Sequence, residues 1–505
     1  MGIEREIKLA APPHFEMPDL ADAIPDAVVT TIPPRRLRAT YWDTPDLRLA
    51  RSGVSLRYRV EQGEDSSGGR WTLKLPGDSR SSSGLTRREL DFEGAPGSVP
   101  SAAARLVRAY VRSSTLGRVA RLDSRRARLE VADMSGRPLA EVDDDVVSVM
   151  DGRRVLARFR EVEVELAPDA PDGVAEEVAK RLREAGADDP VPLPKVVRAL
   201  GPQAQAPSDT HVDPPAKGAR ADQMVRAALA SGVSRLVNHD PGVRLDEDPE
   251  EVHQARVATR RLRSDLRTFK SLVDPEWAEG LRRELGWLAS PLGEVRDADV
   301  LLDRLRTETG RLPSEDRAQV GPLIDRVVAS RQASLGALFD VLDSKRYVAL
   351  LDALVDGIAT PRLTAVAEQP AEEVASTLVG KAWHKLRRSI SDLGPEPADT
   401  DLHRVRIKAK RCRYAAEAVI GIEGRPAKRF ASAVAALQEV LGRLQDSVVA
   451  AAWLREAITT DTPVDQAVAI GELLGFATVT AEASRREWPD AWKGARRKSL
   501  RSWMT

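Results

Sequence analysis

The chain has 505 residues, of which 42% are hydrophobic, with 77 basic and 77 acidic side chains that cancel to a formal net charge of zero. This length allows two or three domains with buried cores, and zero net charge excludes a partner selected by bulk charge alone. A single cysteine, Cys412, and six histidines without an HExxH pair exclude a disulfide framework, a cysteine metal cluster and a zincin site.

Residues 1–200 read mostly as strands. IEREIKL, VSLRYRV, RWTLKL, TRRELDFE, RRARLEV, LAEVDDDVVSVM and FREVEVEL alternate with period two. Gly and Ser clusters at 63–69 and 76–84 mark hairpin loops, and segments near 17–24, 101–113 and 172–185 read as helices. The sum is an α+β antiparallel domain. Its opening, MGIEREIKLA, has no apolar signal core, and no run approaches the ~20 apolar residues of a membrane span. No membrane is expected. A lone cysteine fits a reducing, cytoplasmic setting.

Residues 201–220 are rich in Pro, Ala and polar side chains and read as a linker. From 221 to 505 apolar residues recur at three and four, and that half is all-helical. It contains a repeat. His253-Gln-Ala-Arg256-Val-Ala-Thr-Arg260-Arg261-Leu-Arg263 recurs as His403-Arg-Val-Arg406-Ile-Lys-Ala-Lys410-Arg411-Cys-Arg413, 150 residues later. Leu288, Leu292, Gly293, Asp297 and Val300 recur as Leu437, Leu441, Gly442, Asp446 and Val449 at 149. Two motifs at nearly one offset predict a duplicated helical bundle, about 221–365 and 371–505.

On a strand, residues two apart share a face. Glu4, Glu6 and Lys8 therefore point together. So do Arg57 with Arg59, Thr72 with Lys74, Arg126 with Arg128, and Glu141 with Asp143. Arg87, Glu89, Asp91 and Glu93 form another such face, and Glu161, Glu163 and Glu165 one more. The opposite faces are apolar, as with Ile7 and Leu9 or Val162 and Val164. A half-solvated sheet is the ordinary source of such alternation. Here nearly every strand carries paired cations or paired acids. A sheet closed around these faces would enclose a charged tunnel. Its Arg and Lys would grip phosphate oxygens. Its carboxylates would hold Mg2+ or Mn2+, hard cations that prefer oxygen ligands.

Glu4-x-Glu6-x-Lys8 resembles the ExExK signature of the CYTH, or triphosphate tunnel metalloenzyme, superfamily. YWDTPDLRLARSGVSLRYR at 41–59 resembles its second block, with WTLKLP and REVEVEL following in the family's order. The resemblance spans residues 1–200. It implies an eight-stranded antiparallel tunnel or barrel that hydrolyses triphosphate substrates with Mg2+ or Mn2+. Carried across by position, Glu4, Glu6, Glu163 and Glu165 resemble the metal ligands. Lys8, Arg57, Arg59, Lys74 and Arg128 resemble the phosphate ligands, to which Arg87 and Arg126 are added. The family's Ser-Lys near the domain end is Pro194-Lys195 here, which makes Lys195 a further phosphate contact. Inorganic triphosphate is the expected substrate. A class IV adenylate cyclase would use a similar tunnel on ATP.

In the helical half, His253, Arg256, Arg260 and Arg263 step by three, four and three. At 100° per residue they fall within about 80° of arc. His403, Arg406, Lys410 and Arg413 repeat this stripe, and Lys381, His384 and Arg387 begin a third. A solvated helix face is the usual source of a basic stripe, but such a face interleaves acids at i+4, and these do not. The stripes resemble those of the CHAD domain, which often accompanies CYTH. That resemblance covers about 221–505 and implies two helical bundles around a basic surface that binds inorganic polyphosphate. A protein associated with polyphosphate granules, with an inert tunnel, is the alternative. Nucleic acid is disfavoured because aromatics are only 4% of the chain and none lies in the first stripe.

Overall fold

The computed structural model describes residues 6–21, 23–62, 68–77, 87–188 and 193–504. Two compact units divide the chain, Met1–Asp209 and Thr210–Thr505. The segment 201–220, read above as a linker, is shared between them. Arg51 donates to the Pro207 carbonyl and Arg112 pairs with Asp209, whereas the Gly218 amide donates to Glu372.

The first unit is one antiparallel sheet of β1 (Glu6–Ala11), β2 (Ala27–Asp43), β3 (Ser55–Gln62), β4 (Arg70–Pro76), β5 (Arg87–Phe92), β6 (Gly117–Asp133), β7 (Pro138–Asp151) and β8 (Arg154–Leu166). The strand order is β1-β8-β7-β6-β2-β3-β4-β5. Side chains from β1 and from β4 line one cavity, so the sheet curls around its charged face. β1 and β5 are the two ends of the order, and the curled half-barrel is the eight-stranded antiparallel architecture that the tunnel reading expected.

Strand β2 escapes the sequence pattern because it contains Pro33-Pro34. Its pairing with β6 slips between Ile32 and Arg35, so the two prolines sit at a bulge where no ladder amide is needed. The helix expected near 17–24 is absent among the described residues. Asp19 instead accepts from the Ala21 amide in a turn, while Leu20 is buried.

The apolar side of the sheet explains the alternation. Leu9, Val142, Val162 and Val164 pack against Val174, Val178 and Leu182 of helix α1 (Val174–Glu184). Beyond the charges, the inner face turns apolar, and Val147 and Val149 meet Val196 and Val197 of a short helix, Lys195–Leu200. That helix begins at Lys195, directly beside the charged stretch.

The second unit holds nine helices of eleven residues or more among the described residues. They are α2 (Ala221–Leu245), α3 (Pro249–Thr268), α4 (Pro275–Thr309), α5 (Gly321–Asp343), α6 (Lys345–Ala359), α7 (Ala371–Ser391), α8 (Asp399–Ala418), α9 (Arg425–Ala457) and α10 (Val464–Ala495). Helices α2, α3 and α4 start 150 residues before α7, α8 and α9, as the repeat requires. Asp248 and Asp274 cap α3 and α4, accepting from the Glu250 and Trp277 amides, with proline at the first helical position of each. Helix α10 is long and apolar enough to cross a membrane by length and composition; its Ile470 and Leu473 pack into a core with Leu305 and Leu454.

Candidate functional site

In the sheet unit, strand parity brings the predicted charges to one cavity of about 330 Å³. Glu6, Lys8, Arg57, Arg59, Lys74, Arg126, Arg128, Glu163, Glu165 and Lys195 all line it. Glu4 and the side chain of Arg87 lie outside the described residues. The charges are sorted by strand. β1, β7 and β8 supply carboxylates, because Glu6 stands opposite Glu165, Glu165 opposite Glu141, and Glu163 opposite Asp143. β2, β3, β4 and β6 supply mainly cations.

The two sets meet in a buried network. Arg126 donates to Asp145 at 2.9 Å and to Glu163 at 3.0 Å, and also pairs with Asp143. Lys195 pairs with Asp145 and lies 3.2 Å from Glu161 and 3.3 Å from Glu163. Lys8 donates to Glu163 at 2.5 Å. Burial opposes ionisation of Glu163, yet Lys195, Lys8 and Arg126 hold its carboxyl well below the usual range. Burial likewise opposes the charge on Lys195, and Glu163, Asp145 and Glu161 hold its pKa above the ordinary value. The converging carboxylates of Asp145, Glu161 and Glu163 are thus already neutralised by the chain's own cations.

Two residues are left over. Glu165 has no ion pair among the described residues. Burial, then Glu6, Glu141 and Glu163, push its pKa up. A carboxylate beside carboxylates calls for a hard cation, and the oxygen-rich wall around Glu165 suits a divalent ion, with Glu6 lying 3.2 Å from Lys8 and Glu141 accepting from Arg128 at 2.7 Å. Glu163, expected as a metal ligand, converges with Asp145 and Glu161 closely enough for the three to hold an ion, and it also faces Lys195, Lys8 and Arg126. Arg59 is the converse case. It makes no ion pair among the described residues, and burial and then Arg57 push its pKa down.

In the helical unit, α3 and α8 bring the two stripes together. Burial and the guanidiniums of Arg260, Arg406 and Arg256 push the Lys410 ammonium down to about 7, with Asp446 opposing. Arg260 donates to the Tyr414 hydroxyl at 2.7 Å. Acids are not missing, as the stripes alone suggested: one comes from another helix and one from the stripe's own helix, four residues on. Arg256 pairs with Asp297 of α4 at 2.6 Å, and Arg413 with Glu417 at 2.7 Å. Gly293 and Gly442 lie beside the stripes' arginines. A Cβ on Gly293 would stand 3.6 Å from the Arg256 guanidinium, and one on Gly442 3.8 Å from that of Arg406. The Leu-Gly-x-x-x-Asp stretches lie within helices against the stripes' arginines, and Arg256 donates to the Gly293 carbonyl at 2.8 Å. His403 bonds Gln445 at 2.7 Å, whereas burial and Arg296 lower the pKa of His253. The third stripe does not join this cluster. Lys381 lines a different cavity, and His384 and Arg387 are exposed.

A CYTH domain model matches residues 2–190 and a CHAD domain model residues 227–455. Uncharacterized protein MT2285 of Mycobacterium tuberculosis is 31% identical over 483 residues, covering 90% of this chain and 89% of its own. The chain is a CYTH–CHAD protein. Solved structures similar in part include PptA from Streptomyces chartreusis, 25% identical over 55% of this chain and all of its own, at a TM-score of 0.46. The CHAD domain from Ricinus communis is 25% identical over 56% of this chain and 93% of its own, at 0.45. HpAC1 from Hippeastrum, a putative adenylyl cyclase whose description reports a dominant triphosphatase activity, is 17% identical over 40% of this chain and 99% of its own, at 0.25.

Within the CYTH domain, sequence reasoning missed Arg35 and Tyr41, which line the cavity, and Asp145, which anchors Arg126 and Lys195; it placed Glu89 on a charged face without assigning it to the site. Asp145 follows Glu141 and Asp143 by the same period of two, so its face was readable despite the Asp-Asp-Asp run. Arg35 and Tyr41 belong to the strand hidden by the proline pair. In the CHAD domain the missed residues are Glu417 and Gln445, which the repeat does not mark, whereas Asp297 belongs to the repeated motif and pairs with Arg256 of the stripe.

Proposed function

We propose that the CYTH domain hydrolyses a phosphoanhydride bond of inorganic triphosphate, or a related triphosphate, with Mg2+ or Mn2+. The observation that carries this reading is the sorting of charge, with an acidic wall facing a cationic one across a single cavity. Glu6, Glu141 and Glu165 would hold the divalent ion, which supplies charge neutralisation and Lewis-acid polarisation of the phosphate oxygens. Arg57, Arg59, Lys74 and Arg128 bind and orient the phosphate chain. Arg126 and Lys195 keep the acidic floor neutral, so an anionic substrate is not repelled.

Water attacks the terminal phosphorus in line, a P–O bond forms, and the bridging P–O bond breaks. The leaving pyrophosphate keeps its electron pair and stays against the Arg/Lys wall, which stabilises the charge it gains. The water's proton passes to a carboxylate of the opposite wall.

The CHAD domain, in this reading, binds inorganic polyphosphate on the cluster of Arg256, Arg260, Arg406 and Lys410. A group whose charge is suppressed by like neighbours regains it when a polyanion arrives. Orthophosphate release from triphosphate by the full chain tests the first part. Release should require Mg2+ or Mn2+ and should disappear in Glu6→Gln with Glu165→Gln. Metal-independent release, or release that survives the double change, contradicts it. Retention of the protein on immobilised polyphosphate, lost in Lys410→Met, tests the second.

A further inference from the structure

The duplication in the helical unit is broken at one place. On one side of the α3–α8 crossing, Arg261 donates to Glu417 at 2.8 Å, and Arg413 donates to the same carboxylate at 2.7 Å. The 150-residue repeat relates Arg261 to Arg411, and Glu417 to Arg267. On the other side, therefore, two guanidiniums stand where an ion pair would be.

They do not stand alone. Arg267, Lys270, Lys381, Lys385, Lys408 and Arg411 line one cavity of about 330 Å³, drawn from α3 and the turn after it, α7 and α8, and no carboxylate lines it. None of these six side chains has a hydrogen bond or an ion pair among the described residues. The repeat places neutral Ser231 and Ala258 where Lys381 and Lys408 stand, so the matching side carries far less charge. The cost shows in the ionisation. Burial, then Arg267, pushes the Arg411 pKa down, and burial, then Arg411 and Lys385, does the same to Lys408.

We propose that this cavity is a second anion site, specific for phosphoryl groups. Six unpaired cations in a concave site are stabilised by a compact, multiply charged anion, and a single carboxylate would leave most of them unmatched. Two guanidiniums offer bidentate donors to phosphate oxygens, with lysines adding point charge. Ser264 and Ser271 contribute hydroxyls at the wall. The lining has no aromatic side chain on which a base could stack, which disfavours single-stranded nucleic acid.

The site also gives the domain a direction. On α3 the stripe His253, Arg256, Arg260 and Arg263 continues on the same face to Arg267, whereas the α8 stripe ends in Glu417. Arg256 and Arg267 are eleven residues apart, or about 16 Å along the helix. A phosphate chain on the central cluster can extend over α3 only. This continuity rests on the polyphosphate reading above; the pocket itself does not.

The test is lysine footprinting of the full chain with a limiting amine-acylating reagent, read by mass spectrometry. Pyrophosphate, long-chain polyphosphate and an RNA oligonucleotide are compared at equal salt and phosphate concentration. Lys381, Lys385 and Lys408 should be protected by at least one phosphate ligand. Protection by both long chain and pyrophosphate, or by long chain alone, marks the end of a chain. Protection by pyrophosphate alone marks a separate small-phosphate site. Arg267→Glu restores the Arg–Glu pattern of the other side and should still fold. It should weaken that protection roughly tenfold in ligand concentration, a single order in affinity, while leaving protection of Lys410 unchanged. Protection of Lys410 without the other three overturns the pocket and leaves the polyphosphate reading standing. Protection of the three without Lys410 overturns that reading and leaves the pocket. RNA protecting the three as well as the phosphates do, or no effect of Arg267→Glu, overturns the proposal.

Discussion

Two buried lysines summarise the difference between the halves of this protein. Lys195 in the sheet unit sits among Asp145, Glu161 and Glu163, and its charge is reinforced. Lys410 in the helical unit sits among Arg256, Arg260 and Arg406, and its pKa is pushed down to about 7. Burial opposes the charge in both, so the company decides the sign. Among the described residues, the cavity of the sheet unit carries counter-ions for its buried network, while Glu165 and Arg59 have no ion pair. The helical unit holds cations against one another, and under the proposal above an external anion would complete it. A catalytic cavity must keep its geometry between turnovers, whereas a binding surface can draw affinity from relief of repulsion.

The largest effect that would break this comparison comes from Arg126. Arg126→Ala leaves Asp143, Asp145 and Glu163 short of a shared partner. Removing one member of such a buried set costs about 3–5 kcal/mol. Urea denaturation should show the loss in the sheet unit's transition; an unchanged midpoint would mean the network does not stabilise the fold.

Arg59→Ala is the contrasting change on the same wall. Arg59 has no ion pair to lose, so stability should hold. Phosphate release should fall by roughly a hundredfold to a thousandfold, the usual effect of removing one charge-stabilising donor. Loss of stability without loss of turnover would reverse the roles assigned to Arg59 and Arg126.

Lys410 sharpens the comparison through pH. Its folded pKa lies below its unfolded one, so the unfolded chain holds more protons between about pH 7 and the ordinary lysine range. Stability of the helical unit therefore rises with pH across that window. The facing charges are Arg256 and Arg260 from α3, Arg406 on its own helix and Asp446 from α9. Thermal melts of Lys410→Met should lack this rise. Polyphosphate affinity should fall as pH increases through 7, because binding must then take up a proton. A flat affinity between pH 6 and 9 counts against the cluster as the binding site.

The smallest effect belongs to Asp265, a buried acid on α3. Burial pushes its pKa up to about 7, with Glu417 adding and Arg261 opposing. Here the folded state holds the extra proton, so the contribution to stability is lost as pH rises from about 4 through 7. Asp265→Asn should match the wild type near pH 4 and melt higher at pH 8. An equal melting temperature at both pH values would show that Arg261 fully compensates the charge.

Much of this arrangement was legible in the sequence. Period-two alternation grouped Glu6 with Lys8, Arg57 with Arg59, and Glu163 with Glu165, because a strand leaves no freedom in which face a side chain takes. The offset of 150 located the paired helices and their stripes. Strand β2 was hidden because a bulge absorbs Pro33-Pro34, a tertiary solution invisible to local propensity. The neutralisation of Glu163 was hidden because Lys195 arrives from a helix 32 positions away in sequence. One partner of the helical stripes was hidden for the same reason. Asp297 lies on another helix, beyond the i+4 rule, whereas Glu417 follows Arg413 by four on the same helix and was within that rule's reach. The broken symmetry at Arg267 could have been read from the repeat by aligning one turn further.

The most direct test places both halves in one experiment, with triphosphate hydrolysis and polyphosphate retention measured on the wild type, Glu165→Gln and Lys410→Met. Metal-dependent phosphate release should vanish in Glu165→Gln while the polymer is still held, and Lys410→Met should lose the polymer while turning over normally. If both properties fall together in either variant, or neither changes, the two-part account is wrong.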